Sequence, residues 1–364
     1  MNIKDKDLLY YQVGEKKFHS DLHAFQHFTQ NLNQSLSFNI NYKFFNDDWT
    51  TEPKETISHY RAEMCEQIAQ SYDKIIIAYS GGTDSETMVD EFKKKQIKNI
   101  ELLFVTNDIN STVESRKWLE EHMEVIIKQK HNDAIQNLGW TFRIGEKWKL
   151  QVDYKYLTSW HQNSNDNLLT RNTKQKTCIV FGKEKPEIVI KDGWWCFQLL
   201  NCDWEQPFDC IDPDADLVFF YTSDHQPDLL KKISHVKADE MEKIFKENKI
   251  KPTEDNSRMV SGQSSPYRER LLQAMGYQAM SRFLNTDATR PVGGWQKEIE
   301  IEQQLKIDPE FYNNRQLLKN DFFDTVIEKT IDNRFLDIEQ RKIHGIWGKP
   351  IRIKPVSEDL WKLR

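Results

Sequence analysis

"KIIIAYSGGTDSETM", residues 74–88, sets a run of apolar β-formers against two glycines, hydroxyl side chains, an aspartate and a glutamate. A short apolar run that stops at turn residues reads as a strand buried on both faces of a parallel sheet. Such a strand ends at the carboxyl edge of its sheet, where α/β proteins bind ligands. Gly81 and Gly82 permit positive φ and lack the Cβ atoms that would hold a phosphate away from backbone amides. Ser80, Thr83 and Ser85 add hydroxyl donors, and the residues that follow open a helix. A helix N-terminus favours an exposed anion by about 0.3–1 kcal/mol. A glycine pair alone is equally the mark of a tight turn; the whole string, hydroxyls included, fits a polyphosphate. Asp84 would repel bare phosphate, so its presence points to Mg2+ shared between the carboxylate and phosphate oxygens.

Working outward, residues 71–235 alternate strand and helix: "KIIIAY", helix "SETMVDEFKKKQ", "IELLFVT", helix "STVESRKWLEEH", "EVIIK", and "HNDAIQNL" as a short helix. Further strand candidates are "KTCIVF", "EIVIKDGWWCFQLL" and "DLVFFYTSD". The alternation predicts an α/β fold with a parallel sheet covered on both faces. Residues 1–70 read as a small α+β layer, with strands in "LLYYQV" and "SFNINYKFF" and helices in "SDLHAFQHFTQNL" and "ETISHYRAEMCEQIAQSY". Residues 236–364 read as mainly helical, from "ADEMEKIFKEN" and "YRERLLQAMGYQAMSRFL", with a break at "TRPVGGW".

Composition bounds the function classes. A net charge of −6 and a pI near 6.0 give no global attraction to nucleic acid or to an anionic membrane. No run of apolar residues is long enough to span a bilayer, and "MNIKDKDLLYYQVG" lacks a signal-peptide core, so a cytoplasmic protein is expected. The five cysteines, Cys65, Cys178, Cys196, Cys202 and Cys210, contain no CxxC pair, which speaks against a zinc ribbon or dithiol centre. The chain has neither the GxxxxGK[ST] of a P-loop kinase nor a GxGxxG after a strand.

The string "SGGTDS" in its strand–loop–helix setting resembles the SGGxDS signature of the PP-loop, or N-type, ATP pyrophosphatases. The signature covers roughly residues 70–200. A looser similarity to phage and bacterial PP-loop proteins rests on "DDWTTEP", "YRAEMCEQIAQSYDKIIIAYSGGTDS" and "GKEKPEI". The resemblance implies an adenine nucleotide α-hydrolase-like fold. It also implies ATP pyrophosphate held by Ser80, Gly81, Gly82, Thr83 and Ser85, with Asp84 near Mg2+. In that chemistry a substrate oxygen attacks the α-phosphorus, pyrophosphate leaves, and a nitrogen or sulfur nucleophile meets the adenylated carbon. By the same resemblance, Val105 and Thr106 at the end of "ELLFVT" meet the adenine edge with their backbone.

A leaving pyrophosphate gathers negative charge, so cations aimed at it are the expected catalytic groups. Lys183 and Lys185 of "GKEKP" follow a strand on the same edge, where they also suit a solvated turn. The acceptor is a small molecule or nucleobase that no motif names. Position 2 is asparagine, so an amino-terminal cysteine glutaminase like that of asparagine synthetase is not expected. The chain also ends "EDLWKLR", without the terminal cysteine of the adenylyl-sulfate reductases. Nitrogen ligation is therefore the leading reading, beside a sulfur transferase or a nucleotide-binding module without chemistry. Cys196 in "WWCFQLL" suits a buried hydrophobe. His19, His23 and His27 repeat along a helix face without a carboxylate or cysteine partner. His225, Lys231, Lys232 and His235 fit either an acceptor site or a charged helix face. Ser261, Gly262 and Arg268 would suit a mobile lid.

Overall fold

A computed structural model describes residues 9–18, 24, 27–28, 30–40, 47–79, 81–106, 113–146, 176–182, 187–198, 215–221, 226–262, 265–277, 336–342, 345–348 and 350–362. The N-terminal layer is an antiparallel sheet of β1 (Leu9–Val13), β2 (Lys16–Phe18) and β3 (Leu36–Ile40), in the order β2-β1-β3. Its inward residues Tyr11, Val13, Phe18 and Leu36 are buried. Helix α1 (Ile57–Ser71) follows, capped by the Thr56 hydroxyl, which accepts from the His59 amide at 3.1 Å.

The centre is α/β. Strands β4 (Lys74–Tyr79), β5 (Ile100–Thr106), β6 (Thr141–Glu146) and β7 (Thr177–Phe181) join a later strand, Ala215–Phe219, in one parallel sheet. Ile75, Ile76 and Ile77 of β4 are all buried, as its unbroken apolar run requires of a central strand. Between β4 and β5 lies α2 (Thr83–Lys94), which packs on β4 and α1.

A strand expected at "EVIIK" does not form. Residues Val113–Leu138 make one helix, α3, kinked at His131 (φ −118°, ψ 18°). Met123, Ile126, Ile127 and Ala134 are buried, while Val125 is 49% exposed. That spacing of three and four residues is helical, and it overrides the β preference of the local Val-Ile-Ile run. The strand that follows β5 is β6, after Gly139.

"EIVIKDGWWCFQLL" folds as a hairpin of β8 (Glu187–Lys191) and β9 (Trp194–Gln198), turned by Asp192 (φ 51°) and Gly193 (φ 79°). Next comes β10 (Ala215–Phe219), the outer strand of the parallel sheet. The helical layer consists of α4 (Pro227–Asn248), α5 (Glu254–Ser261) and α6 (Arg268–Ala274). In α4, Leu229, Leu230, Ile233, Met241, Ile244 and Phe245 are buried, each worth about 1.5–3 kcal/mol over exposure. Strands then return: β11 (Leu336–Lys342) pairs with β12 (Gly345–Gly348), and β13 (Ile351–Pro355) adds antiparallel to β9, before α7 (Glu358–Trp361).

The parallel order β10-β7-β4-β5-β6 positions everything that follows. From β4 the chain builds β5 and β6 on one side, then crosses back to build β7 and β10 on the other. The reversal lies between β4 and β7, and in such sheets the carboxyl ends at the reversal form the ligand crevice.

Candidate functional site

The glycine pair leaves β4 at that reversal. Gly81 has φ +69°, a left-handed conformation that side-chain-bearing residues adopt only under strain. Gly82 is the N-cap of α2 with extended φ −79°, ψ 166°. Its carbonyl accepts the Glu86 amide at 2.9 Å and the Ser85 hydroxyl at 3.0 Å. First-turn amides point out of the helix end, where the dipole is positive. Thr83 is buried, and its hydroxyl has no hydrogen-bond partner among the described residues. Asp84 is half-buried at the second helical position. Ser80 lies outside the described residues.

Three neighbours fix this first turn. From β7, Gly182 comes so close that a Cβ on it would stand 3.3 Å from the Ser85 amide nitrogen and 3.4 Å from the Asp84 carbonyl carbon. From β10, the Tyr221 hydroxyl donates to the Asp84 carbonyl at 2.8 Å. From α3, Lys130 meets the Glu86 carboxylate at 3.2 Å, and Tyr79 at the end of β4 donates its hydroxyl to the same carboxylate.

Burial and the Glu86 charge push the Tyr79 hydroxyl well above its usual range, so it remains a donor. His131 stands 3.8 Å from Glu86 and edge-on to Tyr79, with ring centroids 5.3 Å apart. Burial lowers its pKa to about 4 against the pull of Glu86, so the ring is neutral near pH 7. Burial also raises Asp90, one turn further along α2, and Glu86 adds to the effect.

The remaining expected residues distribute as follows. Val105 and Thr106 end β5 on the same carboxyl edge, paired with Gly145 and Glu146 of β6. Lys183 and Lys185 lie outside the described residues, as do His19, His23, His225, Cys202 and Cys210. The His27 ring packs on Phe18, with centroids 5.2 Å apart.

Lys231, Lys232 and His235 are engaged elsewhere. They hold the 47–53 segment through Asp47 at 3.0 Å, Glu52 at 2.5 Å and the Trp49 carbonyl at 2.9 Å. Ser261 accepts the Ile188 amide at 3.4 Å, which ties that end of α5 to β8. Cys65, Cys178 and Cys196 are buried and form no disulfide. Burial pushes Cys65 well up and Cys196 up to about 12. Gly182, Glu86, Lys130 and Tyr221 are the site residues that sequence reasoning did not pick out. Glu86 stood in the 74–88 stretch, Gly182 beside the two lysines and Tyr221 in "DLVFFYTSD", but none was given a role there.

Among the described residues no group of three His, Cys, Asp or Glu side chains could cage a metal. A Mg2+ ion at Asp84 would need phosphate oxygens to complete its shell, which is its habit at nucleotide sites. Nor is any helix among them long and apolar enough to cross a membrane. An open cavity of about 500 Å³ lies at the opposite, amino edge of the sheet, lined by Tyr72, Asp73, Lys98 and Asn99 among others.

No protein-family model matches the chain, and no curated protein matches it. Among solved structures it is similar to an NH3-dependent NAD synthetase from Campylobacter jejuni subsp. jejuni NCTC 11168 in complex with the nitrate ion. That match has 12% identity, covers 76% of this chain and 98% of that one, and has a TM-score of 0.25.

Proposed function

We propose that the chain is a PP-loop enzyme that binds Mg-ATP at the turn between β4 and α2 and cleaves it to AMP and pyrophosphate. The observation that carries this reading is the position of "SGGTDS". The turn opens at the sheet's reversal point, with Gly81 at positive φ, a bare Gly182 against the Ser85 amide, and a buried Thr83 hydroxyl that has no hydrogen-bond partner among the described residues. Backbone amides and hydroxyls of residues 80–85 would hold the β- and γ-phosphates. Asp84 would hold the metal, which neutralises charge on the leaving pyrophosphate. Val105 and Thr106 would border the adenine, and Lys183 and Lys185 would face the leaving group.

In the step we assign, a carbonyl or carboxyl oxygen of the acceptor bonds to the α-phosphorus and the α–β bridge breaks toward pyrophosphate. A nitrogen nucleophile then displaces AMP from the activated carbon. Nitrogen is the nucleophile of this reading; a thiol must ionise to carry sulfur, and of the described cysteines Cys65 and Cys196 are buried with raised pKa values.

The test is purified full-length protein with Mg-ATP and a small-molecule extract, scored by mass spectrometry. Equimolar AMP and pyrophosphate, with a new acceptor product and none from Asp84→Ala, supports the proposal. Release of ADP and phosphate, or nothing above the Asp84→Ala control, overturns it.

A further inference from the structure

We infer that a buried stack of Arg61, Tyr277 and Tyr221 is a positioning device for the phosphate-binding turn. This inference rests on the reading of that turn as a Mg-ATP site. Arg61, on α1, is 2% exposed. Its guanidinium donates to the carbonyls of Gly276 at 2.7 Å and Met275 at 3.0 Å, just past the end of α6. It faces the Tyr277 ring at 4.6 Å and the Tyr221 ring at 5.7 Å, and the two rings lie 5.4 Å apart. Tyr221 completes the path with its hydroxyl on the Asp84 carbonyl at 2.8 Å. Gly276 turns the chain at φ +68°, a conformation side-chain-bearing residues adopt only under strain, and so presents its carbonyl to the guanidinium.

The charge in this stack calls for a use. Among the described residues no carboxylate lies within ion-pair distance of Arg61, whose partners are carbonyls and ring faces. A guanidinium taken out of water with no carboxylate in contact is costly, and aromatic faces, carbonyls and the Asp84 charge, which is felt at both tyrosines, only partly offset that. A phosphate anion arriving at the first turn of α2 would add negative charge beyond that of Asp84, felt through a low-dielectric interior where Coulomb attraction outlasts its aqueous range.

The Tyr221 hydroxyl acts differently. It grips the peptide carbonyl between Asp84 and Ser85, and so fixes the direction of the Ser85 amide on the other side of that bond. Burial keeps both tyrosine hydroxyls protonated, so Tyr221 stays a donor across the working pH range. Arg61 and Tyr277 act through the turn, and none of the three is assigned contact with reacting atoms.

The experiment measures binding of Mg-ATP and of magnesium pyrophosphate by calorimetry, alongside the melting of each ligand-free protein. The variants are Tyr221→Phe, Arg61→Gln and Arg61→Lys. Tyr221→Phe is expected to weaken both ligands about five- to tenfold, the worth of one buried hydrogen bond. Arg61→Gln is expected to weaken them about tenfold, while Arg61→Lys, which keeps the charge, stays within about threefold of wild type.

Lower melting temperatures with unchanged affinities would show the stack to be scaffolding only. Equal losses in Arg61→Gln and Arg61→Lys would overturn the role of charge. If Arg61→Gln does not fold, Tyr221→Phe decides the positioning claim and Arg61→Lys the claim of charge. Wild-type protein that binds neither ligand defeats the Mg-ATP reading itself, and the inference with it. That failure is distinct from wild-type binding which the variants leave untouched.

Discussion

Replacing Gly182 with alanine probes the turn by sterics alone. Gly182 is not among the glycines at positive φ, so alanine meets no backbone strain there. The added methyl would stand 3.3 Å from the Ser85 nitrogen, 3.4 Å from the Asp84 carbonyl carbon and 3.5 Å from its oxygen. Ordinary contacts begin near 3.4 Å, so the helix end must give by a few tenths of an ångström. Overpacking costs about 1–3 kcal/mol, and the lower entropy of the unfolded alanine chain returns about 0.4–1 kcal/mol. Net destabilisation is therefore about 1 kcal/mol.

Affinity should fall further, because the methyl lies against an amide expected to face phosphate. Loss of one charge-assisted hydrogen bond, about 1.5–3 kcal/mol, raises the Kd for Mg-ATP roughly ten- to a hundredfold. Gly139→Ala is the converse control. Gly139 has φ +69° with nothing within 4 Å of its Cβ position, and it precedes β6 at the amino edge. Alanine there should cost about 1 kcal/mol of stability and leave affinity unchanged. Calorimetric titration and thermal melting of both variants read the two effects. An alanine at 182 that binds Mg-ATP as wild type does, or equal losses of affinity in both variants, would refute the cradle.

Asp84→Ala should abolish the magnesium dependence of ATP binding and leave weak, metal-independent binding, visible as titrations that no longer respond to EDTA. His131 gives the pH dependence a sign. Its folded pKa, near 4, lies below its ordinary value of 6.5, so the unfolded chain takes up the proton first. Stability should be flat above pH 6.5 and fall by about 3 kcal/mol as pH drops from about 6.5 to about 4. Urea midpoints across that window should flatten in His131→Gln; an unchanged slope would exclude His131 as the source. Cys178→Ala, Cys196→Ala, Cys202→Ala and Cys210→Ala should each retain AMP and pyrophosphate release, and loss of turnover in a well-folded variant would favour the sulfur chemistry. Ile77→Ala, which empties a fully buried position in the central strand, should cost about 2–5 kcal/mol in chemical denaturation.

The features legible in the sequence are those set by neighbouring residues. Three isoleucines in a row announce a strand buried on both sides, and the glycines after Tyr79 announce a turn too tight for side chains. "TCIVFG" and "DLVFF" were readable for the same reason. "EVIIK" misled because β-branched residues favour strands locally, whereas the buried stripe through Met123, Ile127 and His131 becomes visible only when the window lengthens to two turns. The strands within 336–355 gave no comparable run of buried residues: Arg352 is exposed and the β13 ladder shifts register between Arg352 and Lys354. The clamps on the turn were hidden for another reason. Gly182 and Tyr221 reach Asp84 and Ser85 from distant points in the chain, and Arg61 reaches the Tyr221 ring from another, so no spacing rule joins them.

The pairing of β9 with β13 also bears on biosynthesis. Cys196 faces Arg352 across that ladder, so the two sides of one small sheet emerge from the ribosome about 150 residues apart, a separation that slows closure. Until residues 351–355 arrive, the nascent chain carries β9 as an open edge, with Trp195 and Phe197 beside it, able to template another polypeptide. Slower translation over residues 199–350 would lengthen that exposure. A soluble peptide matching β13, supplied in trans during cell-free translation, should cover that edge until residues 351–355 emerge and reduce aggregation of the nascent chain.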